Sequence, residues 1–200
     1  RADLWEAWWR DYGPTFDVAK VKPPSADELD QALVDLALEK GAKALLAAGF
    51  PRGAKETRGP WEYGGHPVGT TALVLLALHA AGTDPKDRAF SAALRWLADQ
   101  AVPEQTYDAG LVAMALETIG GRKYRTKIAE AAKSLVSWQN AGGYWGYPTG
   151  NGDHSNSQYA VLGLRHAARA GVSVPAKAWK GVRAHFPRDP ERGRRLELRA

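Results

Sequence analysis

Three stretches of this chain repeat one pattern. Leu75-Leu76-Ala77-Leu78 is followed by Gly82, Ala113-Met114-Ala115-Leu116 by Gly120, and Val161-Leu162-Gly163-Leu164 by Gly171. Each is an apolar run closed by a glycine, the residue that most readily takes the conformation that ends a helix. Leu78 and Leu116 lie 38 positions apart, and Leu116 and Leu164 lie 48 apart. Around these runs, residues 70–81, 109–119 and 159–168 are apolar on nearly every side, whereas residues 88–100, 126–139 and 176–186 carry charge on one face. Gln100 and Gln139 close two of the amphipathic segments 39 residues apart. Two helix types alternating at a period near 40 are the mark of stacked helical hairpins. A helix that is apolar all round is buried all round. The expected fold is therefore all-α, with inner apolar helices walled by outer amphipathic ones, and strand patterns are nearly absent.

Upstream, Ser25 and Glu28 have capping-box spacing before a periodic run that ends at Ala48. Earlier still, Trp5, Trp8, Trp9 and Tyr12 fall on one face of a short helix stopped by Gly13-Pro14, and Pro23-Pro24 marks a linker. The expected organisation is a Trp-rich helix and linker over 1–24, a hairpin-repeat domain over 25–186, and a basic, flexible tail over 187–200. The 8 Lys and Arg against 3 Asp and Glu from Lys177 onward account for the whole net charge of +5. A chain whose first 176 residues are neutral offers no broad basic face, so no nucleic-acid partner is expected.

At 200 residues the chain is long enough to bury a core without staples, and it has no cysteine. That absence excludes thiolate zinc sites, cysteine nucleophiles and iron–sulfur clusters. No apolar run reaches the roughly 20 residues of a membrane span. The absence of cysteine suits a cytoplasmic and an exported protein alike. With Met114 as the sole methionine, the chain is expected to be a processed or excised part of a longer protein.

The most specific stretch is Gln139-Asn140-Ala141-Gly142-Gly143-Tyr144-Trp145. It resembles the Gln–Trp repeat of squalene and hopene cyclases, in which a Gln at an outer helix end precedes a Gly-x-Trp turn. Asp153-His154-Ser155-Asn156-Ser157-Gln158-Tyr159 looks like the start of the inner helix that follows, and Gly59-Pro60-Trp61-Glu62-Tyr63-Gly64 is a weaker upstream copy. The resemblance covers about residues 27–186 and implies the α/α-toroid shared by terpenoid cyclases, protein prenyltransferases and some polysaccharide lyases. The repeat helices are too few for a closed toroid, which implies a partial ring or arc. In this reading Gln139, Gly143 and Trp145 are structural, clasping neighbouring outer helices.

The chemistry of those relatives narrows here. The Asp-rich acid motif of the cyclases is missing, and the prenyltransferase zinc site and the thioester domains both need a cysteine. A uronate lyase needs neither, since Tyr, His, Arg or Lys can abstract the proton. Catalytic candidates at the inner-helix mouths are His66, Tyr107, Asp108, Asp153, His154 and Tyr159. Asp153, Ser155 and Asn156 equally suit helix caps. Trp61, Tyr63, Tyr144, Tyr147 and Tyr159 are candidates to line a ligand groove. His79, His166 and His185 lack a partner at i+3 or i+4 for a metal pair, so no metal and no cofactor are expected. The expected role is a non-catalytic ligand- or protein-binding module taking a hydrophobic or saccharide ligand, a protein partner or an adjoining domain. The alternative is a degenerate terpenoid cyclase or a uronate lyase on the same fold.

Overall fold

A computed structural model describes residues 31–49, 60–147 and 153–186. The segments 1–24 and 187–200 and the pair Ser25 and Glu28 lie outside the described residues. Among the described residues the fold is all-helical, without strands. In order come α1 (Gln31–Ala48), α2 (Pro67–Ala80), α3 (Arg88–Asp99), α4 (Thr106–Gly120), α5 (Arg125–Trp138), α6 (His154–Arg169) and α7 (Ala176–His185), with a 3₁₀ turn at Gly121–Tyr124 leading into α5. The inner helices begin up to a turn earlier than their apolar pattern, because each opens on residues suited to a first turn rather than to a core. Pro67 sits at the start of α2, and Asp153 caps α6 through the Asn156 amide.

The chain divides into two compact units, 1–39 and 40–200, a division that falls within α1. In the first, Gln31 Nε2 donates to Asp35 Oδ1 at 2.7 Å, and Leu33, Leu36 and Leu38 are exposed.

In the second unit, α4 packs against α2, α5 and α6. Its residues from Asp108 to Ala113 are all buried, as an all-round apolar helix requires. The same expectation fails for α2, where Leu73 is 51% exposed. Among the described residues only α4 has an apolar helix packed on either side, and one face of α2 has no helix packed closely over it. Gly110 of α4 and Gly163 of α6 let the two backbones touch: a Cβ at Gly163 would sit 2.8 Å from the Gly110 Cα. That contact offsets the roughly 1 kcal/mol a mid-helix glycine costs. Gly110 lies beside Tyr159 and Glu117 beside His166, so α4 and α6 run parallel. Gly69 and His66 lie beside Asp108, which puts the start of α2 at the start of α4. The first turns of α2, α4 and α6 therefore share one end of the unit.

The amphipathic helices present narrow apolar stripes. Phe90, Ala93 and Leu97 are the buried face of α3, and Ile128, Ala131, Ala132 and Leu135 that of α5.

Tryptophans fasten two of the loops. Trp145 is fully buried, and its indole donates to the Leu135 carbonyl at 2.6 Å, in the last turn of α5. Its amide donates to Ser157 Oγ at 3.0 Å, in the first turn of α6. Trp61 does the same upstream: its indole reaches the Leu45 carbonyl at 2.9 Å, and the Thr71 hydroxyl of α2 donates back to its carbonyl at 3.2 Å. Each Trp thus joins the end of one helix to the start of the next, an amphipathic helix to an apolar one. Of the expected clasp residues, Gln139 makes the link between the two amphipathic helices α5 and α7, whereas Trp145 joins α5 to α6. The Gln139 amide donates at 3.0 Å both to the Gly143 carbonyl of its own turn and to the Ala178 carbonyl of α7. Gly143, at φ 81°, lies against Gly181, and a Cβ on Gly143 would overlap the Gly181 backbone.

Candidate functional site

At the shared start of α2, α4 and α6, two groups of candidate residues meet on the first turn of α4. Asp108 is buried at 6% exposure, and its Oδ2 lies 3.4 Å from Nδ1 of His66, whose side chain is 43% exposed. The carboxylate fits because residue 69 is glycine: a Cβ there would overlap Asp108 Oδ1. Burial pushes the Asp108 carboxyl above its usual range, while the hydrogen bond and charge of His66 pull it back. The pair is a half-buried acid–imidazole couple with one side open to solvent.

One residue earlier on α4, Tyr107 packs its ring 4.5 Å from that of Tyr159 on α6 and 6.2 Å from that of Tyr147 in the preceding loop. Thr106 Oγ1 donates to the Gly146 carbonyl at 3.2 Å and pins that loop to α4. Tyr147 is 54% exposed and stacks with Tyr107 at an interplanar angle of 26°. Its phenol is pushed above its usual value, first by the neighbouring Tyr107 phenol. The result is an aromatic cluster on the α6 side of α4, one residue along the helix from the Asp108–His66 couple on its α2 side.

Asp153 stands at the edge of this group, near enough to help raise the Tyr147 phenol, and the remaining candidates lie apart from it. Asp153 is held as the cap of α6, accepting from the Asn156 amide and the Ser155 hydroxyl, each at 2.6 Å. Those bonds, led by Ser155, hold its carboxyl below the usual range. His154 faces away into a second aromatic group with His185 and Phe186, at 5.6 and 5.1 Å. Tyr144 stacks on His185 in that group, at 4.4 Å. Trp61 is only 7% exposed and is committed to its clasp, so it packs rather than lines. Tyr63 is 82% exposed in the turn before α2.

His166 is the clearest departure from the sequence reading, which looked only for partners one turn away. Its Nδ1 lies 2.7 Å from Glu117 Oε2, across from α6 to α4, and Arg169 Nε lies 3.3 Å from the other carboxylate oxygen. The separation of 49 residues hides this pair from local spacing. Among the described residues no group of three or more His, Asp or Glu could hold a metal, and no helix is long and apolar enough to cross a membrane.

Comparison with known proteins returns no family model, no curated protein and no solved structure that matches this chain. The likeness to the cyclase repeat rests on the residues around Gln139–Trp145 alone.

Proposed function

We propose that this chain is a ligand-binding module of the α/α-hairpin repeat type, whose ligand is a saccharide held at the mouth formed by the first turns of α2, α4 and α6. One observation carries the reading: Tyr107, Tyr147 and Tyr159 cluster there, at the same end of the unit as the Asp108–His66 couple. Aromatic faces offer apolar area with fixed geometry to the C–H faces of a sugar ring. The half-exposed His66 imidazole, held by the buried Asp108, and the exposed Tyr147 phenol offer hydrogen-bonding groups to its hydroxyls. The hairpin arrangement is also the one the squalene-cyclase-like repeat implies, and a partial toroid of that kind would present its helix starts as the binding end.

Native mass spectrometry of the chain mixed with neutral glucose oligosaccharides and with oligogalacturonate tests this. The reading expects a one-to-one adduct that Tyr147→Ala removes. No adduct with either series would refute it.

A second reading, a uronate lyase, draws support from the same couple, since an imidazole backed by a buried carboxylate can accept a proton. It expects oligogalacturonate to be converted to unsaturated products absorbing in the ultraviolet, and His66→Ala to stop the conversion.

A further inference from the structure

Away from the mouth, α5 and α7 are splayed over a groove that the proposed function does not use. It consists of two connected spaces of about 450 and 830 Å³ that share Val136 and Pro175 as lining. Its floor is apolar, formed by Ala132, Val136, Val172 and Pro175. Its walls carry Lys133 on α5 and Lys177 and Lys180 on α7, and no carboxylate lines either space. All three lysines are exposed. Among the described residues none of them forms an ion pair, although Lys127 on α5 is matched by Glu130 at 2.6 Å. Cations left unpaired on both sides of an apolar trough form a complementary surface for negative charge.

We propose that this groove docks an extended acidic peptide segment of a protein partner, with small apolar side chains on the floor and carboxylates at the lysines. The dimensions suit a peptide better than a single anion. The lining runs along α5 from Ala129 to Ser137, roughly 12 Å at 1.5 Å per residue, and continues past the helix end through Gln139 and Asn140. Together these stretches match about five residues of extended chain at about 3.3 Å each. In such a strand alternate side chains point down and up, so a Glu-Val-Glu-Val-Glu pattern would set its valines on the floor and its carboxylates toward the walls. Lys177 and Lys180 lie three apart on one helix face, a spacing that lets neighbouring carboxylates each find a cation. The groove is independent of the mouth, so this inference stands or falls apart from the saccharide reading.

The test uses the full 200-residue chain and fluorescence anisotropy with a fluorescein-labelled Glu-Val-Glu-Val-Glu peptide. The expected result is saturable binding that weakens at least tenfold in Lys177→Glu/Lys180→Glu, is lost in Val136→Asp, and is unchanged in Arg194→Glu/Arg195→Glu, which alters only the terminal charge. Circular dichroism melts confirm that the variants fold, and if Val136→Asp does not, the exposed lysine pair decides alone. Four results would overturn the proposal. They are absence of binding, equal binding by the lysine variant, equal binding of the matching Lys-Val peptide, and loss of binding in the Arg194/Arg195 variant. Lysine-dependent dimerisation in sedimentation, or lysine-dependent binding to phosphatidylserine vesicles in place of the peptide, would assign the groove to a second copy or to a lipid surface and would equally overturn it.

Discussion

Trp61 and Trp145 hold equivalent positions in two copies of one device. Each indole donates to a carbonyl in the last turn of the preceding helix, Leu45 at 2.9 Å and Leu135 at 2.6 Å. Each backbone exchanges hydrogen bonds with a hydroxyl in the first turn of the following helix, Thr71 or Ser157. Thr71 and Ser157 both lie seven residues before the repeat leucine, Leu78 or Leu164. In the middle copy that position is Ala109, and no tryptophan precedes it in the loop after α3. The repeat is therefore structural at its two flanks and simplified at its centre, where the buried helix α4 is held by packing on three helices.

The Trp145 clasp should dominate local stability. Trp145→Ala is expected to cost about 3–5 kcal/mol from lost burial, or roughly 10 °C at 2–4 °C per kcal/mol for a chain of this size. Trp145→Phe keeps most of the burial and strands the Leu135 carbonyl, for a smaller loss of about 1–3 kcal/mol. Thermal melts followed by circular dichroism order the two, and a Trp145→Ala protein as stable as wild type would remove the clasp from the account.

Gly143 and Gly82 make a controlled pair. Both have positive φ, 81° and 76°, but only Gly143 has backbone in the way of a Cβ, while Gly82 has open space. Gly82→Ala should cost about 1–2 kcal/mol from conformation alone. Gly143→Ala should cost clearly more, because α7 must move off the Gln139 turn as well. Equal losses in urea melts would show that the Gly143–Gly181 contact contributes nothing.

Asp108 gives a pH signature whose sign follows from burial. Its folded carboxyl is raised above the ordinary carboxylate value, so around and above that value the folded state holds more protons than the unfolded chain. Stability from this group is then fully present below the unfolded pKa and is lost as pH rises through the folded one. Urea titrations from the ordinary carboxylate range upward should show wild type losing stability relative to Asp108→Asn as pH rises. The opposite slope would mean that the His66 contact outweighs burial.

Asp153 should behave as a cap. Asp153→Ser preserves an N-cap acceptor and is expected to leave both the melting temperature and saccharide binding unchanged, whereas Asp153→Ala lowers the melting temperature only. Loss of binding or turnover in Asp153→Ser with the fold intact would move Asp153 into the functional site.

Helix type and order were legible in the sequence because apolar periodicity is set by which face each segment buries. The extents of α3 and α5 differ from the periodic segments by only a residue or so at each end. The clasp hydroxyls were not legible, since Trp61 and Thr71 lie 10 apart while Trp145 and Ser157 lie 12 apart, and loop length conceals the shared geometry. His66 and Asp108 were both candidates, yet their pairing across 42 residues depends on the register of α2 against α4, which Gly69 sets by leaving room for the carboxylate. Glu117 was missed altogether. It sits in an apolar helix, and a lone carboxylate there at one repeat's distance from His166 was the available signal.

The most direct test of the saccharide mouth is an amide NMR titration of the full chain with the oligosaccharide that gives an adduct. The account predicts shift changes concentrated at Tyr107, Asp108, Tyr147 and Tyr159, fading in Tyr147→Ala. Changes confined to α5 and α7, or no changes at saturating sugar, would contradict it.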